Sequence, residues 1–194
     1  MAEKLIPTPS QTVGPFFHMA LERPQWSDLT RDGPAGERIV ITGRVLDGEG
    51  MPVGDACLEL WQANAAGRYA HPDDTRQDRP LDPHFRGFGR VSTDAEGRFR
   101  FVTIRPGPVP GRGNALQAPH IAVAIFARGL LRQLVTRIYF ADEPANETDP
   151  VLSAIADPAL RQTLLAQRVN DADPPTYHFD IVLQGKGETV FFEV

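Results

Sequence analysis

Two short tracts carry the residues of this chain that could take part in metal chemistry. Residues 66–71 (AGRYAH) contain Tyr69, and residues 118–122 (APHIA) contain His120. A mononuclear redox iron in a protein takes about four nitrogen and oxygen donors. One phenol and one imidazole are too few, which predicts that the metal chemistry connected with this chain takes place on another chain.

The remaining histidines and the cysteine do not complete a site. His71 is followed by a Pro-Asp-Asp run typical of an exposed loop, and His18, His84 and His178 show no ligand spacing. The sequence contains no Gly-x-Ser-x-Gly elbow, phosphate-binding glycine loop or Cys-x-x-Cys pair. Cys57 lies in an apolar run, which predicts a buried thiol that acts as a small hydrophobic group.

Composition and charge argue against several classes of function. Of the 194 residues, 41% are hydrophobic and 23% are charged, as in a globular protein. Lys and Arg total 20 against 25 Asp and Glu, so no basic surplus favours nucleic acid or an anionic membrane. The sequence has no recognisable signal peptide and no apolar run of about 18 residues, so we expect a cytoplasmic protein.

Short runs rich in β-branched and aromatic residues, separated by Pro and Gly, indicate an all-β domain. Turn signals lie at residues 47–50, 94–97 and 184–187, and residues 94–97 are expected to close a hairpin. Residues 120–127 are apolar nearly throughout, as in a strand covered on both faces. We predict a β-sandwich of about eight strands. They fall at residues 38–46, 56–62, 88–93, 98–104, 120–127, 133–140, 177–183 and 189–194.

A short helical insertion is expected between the last strands. The pairs Asp149-Pro150 and Asp157-Pro158 each combine an N-cap residue with a proline at the first helical position. Leucines with helical spacing then give residues 159–169 one apolar stripe.

The first 37 residues differ in composition from the rest of the chain. They are rich in proline, which predicts an extended arm (residues 1–37) in front of the sandwich (residues 38–194). Because the arm carries Phe16, Phe17, Leu21 and Trp26, we expect it to need an apolar surface to lie on.

Five tracts, in order along the chain, carry a resemblance to a known family. They are LWQANAAGRY (60–69), GRVSTD (89–94), IRPGP (104–108), APHI (118–121) and FDIVL (179–183). Together they resemble the intradiol ring-cleavage dioxygenases, over nearly the whole chain. The resemblance implies a fold whose catalytic members cleave a catechol between its two hydroxyls with O2, on Fe(III) held by two tyrosines and two histidines.

The ligand positions of that family can be compared with this chain one by one. The tyrosine of the Gly-Arg-Tyr tract is kept as Tyr69, but the tyrosine after Pro-Gly-Pro is replaced by Val109. The His-x-His pair keeps His120 and has Ala122 in place of the second histidine. We call these four positions the vestigial site. Since an isopropyl or a methyl group cannot donate to iron, the resemblance implies that Fe(III) is held by a homologous partner subunit.

Two further tracts, residues 8–16 (TPSQTVGPF) and 187–192 (GETVFF), are similar to subunits of this family that hold no iron. The resemblance implies pairing with a catalytic beta subunit in αβ units, whose pocket binds protocatechuate, a catechol with a ring carboxylate. Arg128 is then expected to attract that carboxylate. Thr12 would offer a hydroxyl to the same pocket, while Gly14 and Pro15 bring the backbone of the arm close to the ligand.

Other interpretations remain open from the sequence. Residues 39–60 and 93–101 also resemble transthyretin-like β-sandwich modules, which bind partners without catalysis. A homomeric intradiol enzyme that acts on another catechol is a further alternative, against which Val109 and Ala122 argue. Arg128 has the alternative of an exposed turn arginine, and the arm that of simple packing. Tyr69 and His120 are expected to be structural, with hydrogen-bonded side chains.

Overall fold

The computed structural model describes residues 7–14, 16–21, 23–111, 113, 115–169 and 172–193. Strands dominate this part of the chain. They are β1 (Arg38–Leu46), β2 (Cys57–Trp61), β3 (Phe88–Ser92), β4 (Arg98–Ile104), β5 (Val109–Pro110), β6 (Leu116–Gln117), β7 (His120–Phe126), β8 (Leu134–Phe140), β9 (Leu165–Val169), β10 (Thr176–His178) and β11 (Ile181–Val182). The helices are α1 (Phe17–Leu21), α2 (Pro150–Ala154) and α3 (Pro158–Gln162), with 3-10 helices at Pro24–Ser27 and Pro144–Thr148.

Nine strands form one sheet that folds over into two packed layers. One layer contains β4, β1, β10 and β11, and the other contains β3, β2, β7 and β8. Strand β9 joins the layers, because it runs parallel to β8 at its start and antiparallel to β10 at its end. Strands β5 and β6 form a separate two-stranded ribbon. The predicted all-β sandwich is confirmed.

The core lies between the two layers. Ile39 and Ile41 of β1 and Phe101 of β4 meet Leu58 of β2 and Ile121 of β7, and all five are fully buried. Burying an aliphatic or aromatic side chain of this size contributes about 1.5–3 kcal/mol. Because side chains alternate along a strand and Ile121 points into this core, the even-numbered residues of β7 point away from it.

The outer face of β7 is only partly covered, which corrects the expectation of burial on both faces. His120 is buried, but Ala122 and Ala124 remain partly accessible. Both faces were predicted as covered because alanine is apolar. A methyl group, however, is small enough to line the floor of a cleft.

The turn at residues 94–97 forms, but the predicted hairpin around it is wrong. The amide of Gly97 donates to the Asp94 carbonyl at 2.8 Å. Strand β3 nevertheless pairs with β2, while β4 pairs with β1 in the other layer. A tight turn fixes the local reversal of the chain only, and β4 completes its backbone hydrogen bonds along the edge of β1. The turn therefore carries the chain from one layer to the other.

The prediction of one strand at residues 177–183 is also corrected. Strands β10 and β11 are separated at Phe179 and Asp180, where the Asp180 carboxylate accepts from the amide of Arg44 at 2.8 Å. A side chain thus replaces a backbone acceptor in the ladder of β1. In the described part of the predicted final strand, residues 189–193, no strand forms. That segment donates instead to two different strands, through Thr189 to Val182 and through Phe192 to Val135.

The helix predicted over residues 159–169 ends early. Its first turn forms with the expected cap, since the Asp157 carboxylate accepts from the amide of Ala159 at 2.8 Å. The chain then turns and enters β9, whose backbone completes the ladders of β8 and β10. Pairing with two open strand edges outweighs the small helix propensities of these residues.

The arm is in contact with the sandwich over its second half. Trp26 packs edge-on against Phe88 at 5.8 Å, and the amide of Leu29 donates to Val102 at 2.8 Å. Phe16 and Met19 remain 73% and 63% exposed. The division of the chain at residue 37 stays a prediction. Within the described ranges, no helix has the length and the apolar composition of a membrane span.

Gly43 allows the chain crossing at the break between β10 and β11. A Cβ atom at this position would collide with the carbonyl oxygen of Phe179. We expect Gly43→Ala to lower the free energy of unfolding by about 3 kcal/mol, measured by urea denaturation. Gly14→Ala is the control, because its added methyl meets no described atom within 4 Å. Equal stability of the two variants would contradict this packing.

Candidate functional site

The vestigial site lies on the outer face of the β2–β7–β8 layer. Strand register places Trp61 and Arg137 on either side of Ala122, and Tyr139 directly opposite His120. Residues that face each other across antiparallel strands project from the same side of the sheet. Trp61, Ala122 and Arg137 therefore form one row across the three strands, and the adjacent row contains His120 and Tyr139.

Tyr69 is held by the long loop between β2 and β3. The buried Asn64 accepts from the amides of Ala66 and Arg68 at 3.0 and 2.9 Å, which shapes the loop just before the tyrosine. Gly67 has φ 78°, and a Cβ atom at this position would collide with the carbonyl oxygen of Pro108, so only glycine fits here. The loop thereby joins the tyrosine to the Pro-Gly-Pro tract.

The ring of Tyr69 stacks on Trp61, with centroids 5.8 Å apart and an interplanar angle of 12°. Its backbone amide donates to Asp74 at 2.8 Å, and Asp74 is paired with Arg76. The hydrogen bond from Arg76 holds the pKa of Asp74 well below its usual range. Burial raises the pKa of Tyr69, so the side chain is a neutral phenol at pH 7.

His120 is 5% exposed and its Nδ1 lies 2.8 Å from the carbonyl oxygen of Ala118. Because a carbonyl only accepts, Nδ1 carries the proton. Burial lowers the pKa of His120 to about 4, and the charge of Arg137 acts in the same direction. The imidazole is neutral at pH 7 and packs against the Tyr139 ring at 5.4 Å.

Arg137 and Asp149 were not identified from the sequence as members of the vestigial site. Arg137 donates to Gln117 at 2.5 Å and to the Tyr139 hydroxyl at 3.2 Å. Asp149 is fully buried, accepts from the amide of Ala118 at 2.8 Å and lies 3.3 Å from the Tyr139 hydroxyl. The available signals were a lone arginine inside the predicted strand 133–140 and an aspartate that was interpreted only as a helix cap.

These residues do not fit a ferric ion. Val109 is 4% exposed and Ala122 faces Arg137, so aliphatic side chains occupy two of the four ligand positions. Among the described residues, no group of three or more His, Cys, Asp or Glu side chains could hold a metal. The arrangement can supply an aromatic, partly open cleft next to Trp61 and Tyr69, but not a coordination shell.

A second constellation joins Thr12 of the arm to the turn that follows β7. The Thr12 hydroxyl accepts from the amide of Gly129 at 2.7 Å and lies 3.5 Å from the Ala127 carbonyl. Arg128 is placed between these two residues and forms an ion pair with Asp55. The Arg128 side chain remains 60% exposed. The structure therefore brings Thr12 and Arg128 together, with Asp55 as a contact that the sequence analysis missed.

The other two predicted pocket residues follow directly in the arm. Gly14 is exposed, with no described atom near the position of a Cβ. Pro15 lies outside the described residues. Their roles, like those of Thr12 and Arg128, stay predictions.

The two constellations lie at opposite ends of β7. His120 begins this strand and Phe126, just before the Arg128 turn, ends it. The seven residues of β7 span about 20 Å from end to end, at roughly 3.3 Å for each step between them. Arg128 and Thr12 therefore cannot serve the vestigial site of their own chain.

The neutral state of the buried His120 has a consequence for stability. Its folded pKa of about 4 is below the ordinary 6.5, so the unfolded chain takes up a proton that the folded chain does not. Stability that is complete above pH 6.5 is lost as the pH falls towards 4, by about 3 kcal/mol. We expect the non-titrating variant His120→Gln to lack this loss in denaturation curves between pH 7 and 4. The exposed His84→Gln should keep the wild-type pH dependence, and the same slope in both variants would contradict the assignment.

The chain is similar in sequence and in fold to known dioxygenases. A dioxygenase family profile matches residues 13–185. The protocatechuate 3,4-dioxygenase alpha chain of Pseudomonas putida is 41% identical over 207 aligned positions, covering all of both chains. The beta chain from Burkholderia cepacia is also 41% identical, over 93% of this chain and 77% of its own length. The dioxygenase domain of a dioxygenase carbohydrate-binding protein fusion from Streptomyces sp. SirexAA-E superposes with a TM-score of 0.61. It is 32% identical and matches 93% of this chain and 99% of that domain.

The match covers nearly all of this chain, so a free-standing transthyretin-like module is not supported. The family predicted from the five tracts is confirmed: the chain belongs to the intradiol ring-cleavage dioxygenases.

Proposed function

We propose that this chain is an alpha-type subunit that holds no iron and completes the active site of a homologous beta subunit. The assembled enzyme would cleave protocatechuate between its two hydroxyls, and both atoms of O2 would enter the product, 3-carboxy-cis,cis-muconate. The full-length similarity to the Pseudomonas putida alpha chain supports this substrate and this partnership.

Percentage identity alone does not separate the two subunit types, because the identity to an alpha and to a beta chain is 41% in both cases. The observation that carries the proposal is the chemistry of two side chains. Val109 is buried and Ala122 faces Arg137 at positions where a catalytic chain needs oxygen and nitrogen donors. A homomeric enzyme would need those donors in every copy.

The placement of Arg128 supports the same proposal. It follows the far end of β7, about 20 Å from His120, so it would serve a pocket on another chain. Ferric iron on that chain would supply the site at which the catechol oxygens bind. The guanidinium of Arg128 would attract the ring carboxylate, because a carboxylate leaving water needs a cation or several donors.

The contacts around Arg128 would keep it in position for this task. Asp55 pairs with the guanidinium from one side, and the Thr12 hydroxyl ties the arm to the turn. The arm continues past Gly14 to Phe16 and Met19, whose exposed side chains would pack on the partner. Positioning of a charged group by neighbours that do not themselves react is a common way to orient a substrate.

Reconstitution tests the proposed partnership. The chain expressed by itself is expected to contain no stoichiometric iron and to show no protocatechuate turnover. Co-expression with a catalytic beta homologue should yield a stable complex that carries iron and is active. Iron-loaded, active protein from the chain alone would favour the homomeric enzyme. Failure to form a complex would overturn the proposed partnership.

Removal of the Arg128 charge tests the pocket assignment. In the assembled enzyme, Arg128→Ala is expected to raise the KM for protocatechuate about tenfold and to change kcat by less than about twofold, since a positioning cation mainly supplies uniform binding. Arg132→Ala is the matched control, because this side chain is 77% exposed and pairs only loosely with Glu193 at 3.8 Å. An unchanged KM in Arg128→Ala would remove this residue from the pocket.

A further inference from the structure

Arg137 occupies a special position in the vestigial site. Its backbone lies directly opposite Ala122 across the β7–β8 pairing. Its guanidinium donates to Gln117 at 2.5 Å, and Gln117 lies directly opposite Val109 in the β5–β6 ribbon. The arginine side chain therefore extends from a backbone position opposite Ala122 to Gln117, the residue opposite Val109.

We infer that the guanidinium of Arg137 takes the place of the metal ion in this chain. The vestigial site is closed to metals by a built-in cation, and not only by the loss of two ligands. In this arrangement the small side chains of Val109 and Ala122 leave space for the arginine side chain, so their loss as ligands and the position of Arg137 belong together.

The surrounding groups are those expected around a cation. The Tyr139 hydroxyl lies 3.2 Å from the guanidinium, and the buried Asp149 carboxylate lies 3.3 Å from that hydroxyl. The ring of Phe192, at 5.7 Å, lies within the range of a cation–π contact. Hydrogen bonds, a nearby carboxylate and an aromatic face together offset the cost of holding a charge in a partly buried place.

The guanidinium of Arg137 lies next to groups that contact both retained ligand residues. Its strand row includes Trp61, whose ring stacks on Tyr69, and it donates to the hydroxyl of Tyr139, whose ring packs against His120. The titratable groups around these two residues are Arg76, Asp74, Tyr139 and Asp149. Arg76 is paired with Asp74, whereas the guanidinium of Arg137 donates to the neutral groups of Gln117 and Tyr139. A ferric ion at the same place would meet like charge.

This inference predicts that restoring the ligands alone does not restore the metal site. Three variants of the full chain separate ligand loss from charge. They are V109Y/A122H, the same pair with Arg137→Gln, and the same pair with Arg137→Lys. Glutamine keeps hydrogen-bonding groups for Gln117 and Tyr139 without a charge, whereas lysine keeps the charge.

Iron content and the visible tyrosinate-to-iron absorption after addition of Fe(III) are the measurements. We expect the Arg137→Gln triple variant to bind iron at least tenfold more tightly than the other two. Equally tight binding by V109Y/A122H would overturn the inference, because ligand loss would then be the whole explanation. The inference would also be overturned if the Arg137→Gln triple variant folded but bound no iron.

A second measurement needs no rebuilt metal site. The chain has three tyrosines, so ultraviolet titration of the wild type and of a Tyr69→Phe variant isolates the Tyr69 phenol. The single variant Arg137→Gln is expected to shift this titration to higher pH, and Arg137→Lys is expected to shift it less. An unchanged Tyr69 titration in Arg137→Gln would contradict the proximity of the cation.

The inference depends on family membership and on the residues of this chain, and not on the proposed partnership. Metal loading and phenol titration are measured on the chain alone, whereas the partnership is measured by reconstituted turnover. Failure of one therefore leaves the other intact.

Discussion

The pairing of β7 with β2 on one side and with β8 on the other is the constraint on which the site depends. It sets Trp61, Ala122 and Arg137 in one row, with the Ile121 side chain on the opposite face in the core. A slip of β8 by one residue would place Arg137 in the core, and a slip of β7 by one residue would place Ile121 in the cleft, which the buried face does not permit. The packing of the sandwich thus determines which polar side chains can meet outside it.

Strand β7 also explains why the two constellations of this chain do not act on the same ligand. One end of β7 carries His120, which is buried and neutral, and the other end leads into the exposed turn of Arg128. A rigid strand keeps these ends about 20 Å apart. Duplicated folds that associate around a local two-fold axis can bring one end of a subunit to the other end of its neighbour. Under the proposed pairing, the Arg128 end of this chain would serve the pocket of its neighbour.

Several elements could be predicted from the sequence because their signals are local. The bounds of β1 and β4 agree with the predicted ones, since alternating apolar residues and flanking turn residues mark both strands. The capping aspartates Asp149 and Asp157 also act as predicted. The errors fall where distant partners decide the outcome. The turn at 94–97 joins two layers, and the segment after α3 becomes a strand because two strand edges are open to it.

The sequence by itself determined what the chain lacks at the vestigial site, because donor atoms belong to side-chain types and Val109 and Ala122 have none. It also determined the family, through tracts whose order and spacing are specific. Only the tertiary structure decided that Arg137 reaches from Ala122 towards Gln117, that Asp149 stands behind Tyr139, and that Thr12 meets the turn of Arg128. These contacts join residues from separate strands and loops, and such long-range pairings depend on how all the elements pack together rather than on any local pattern.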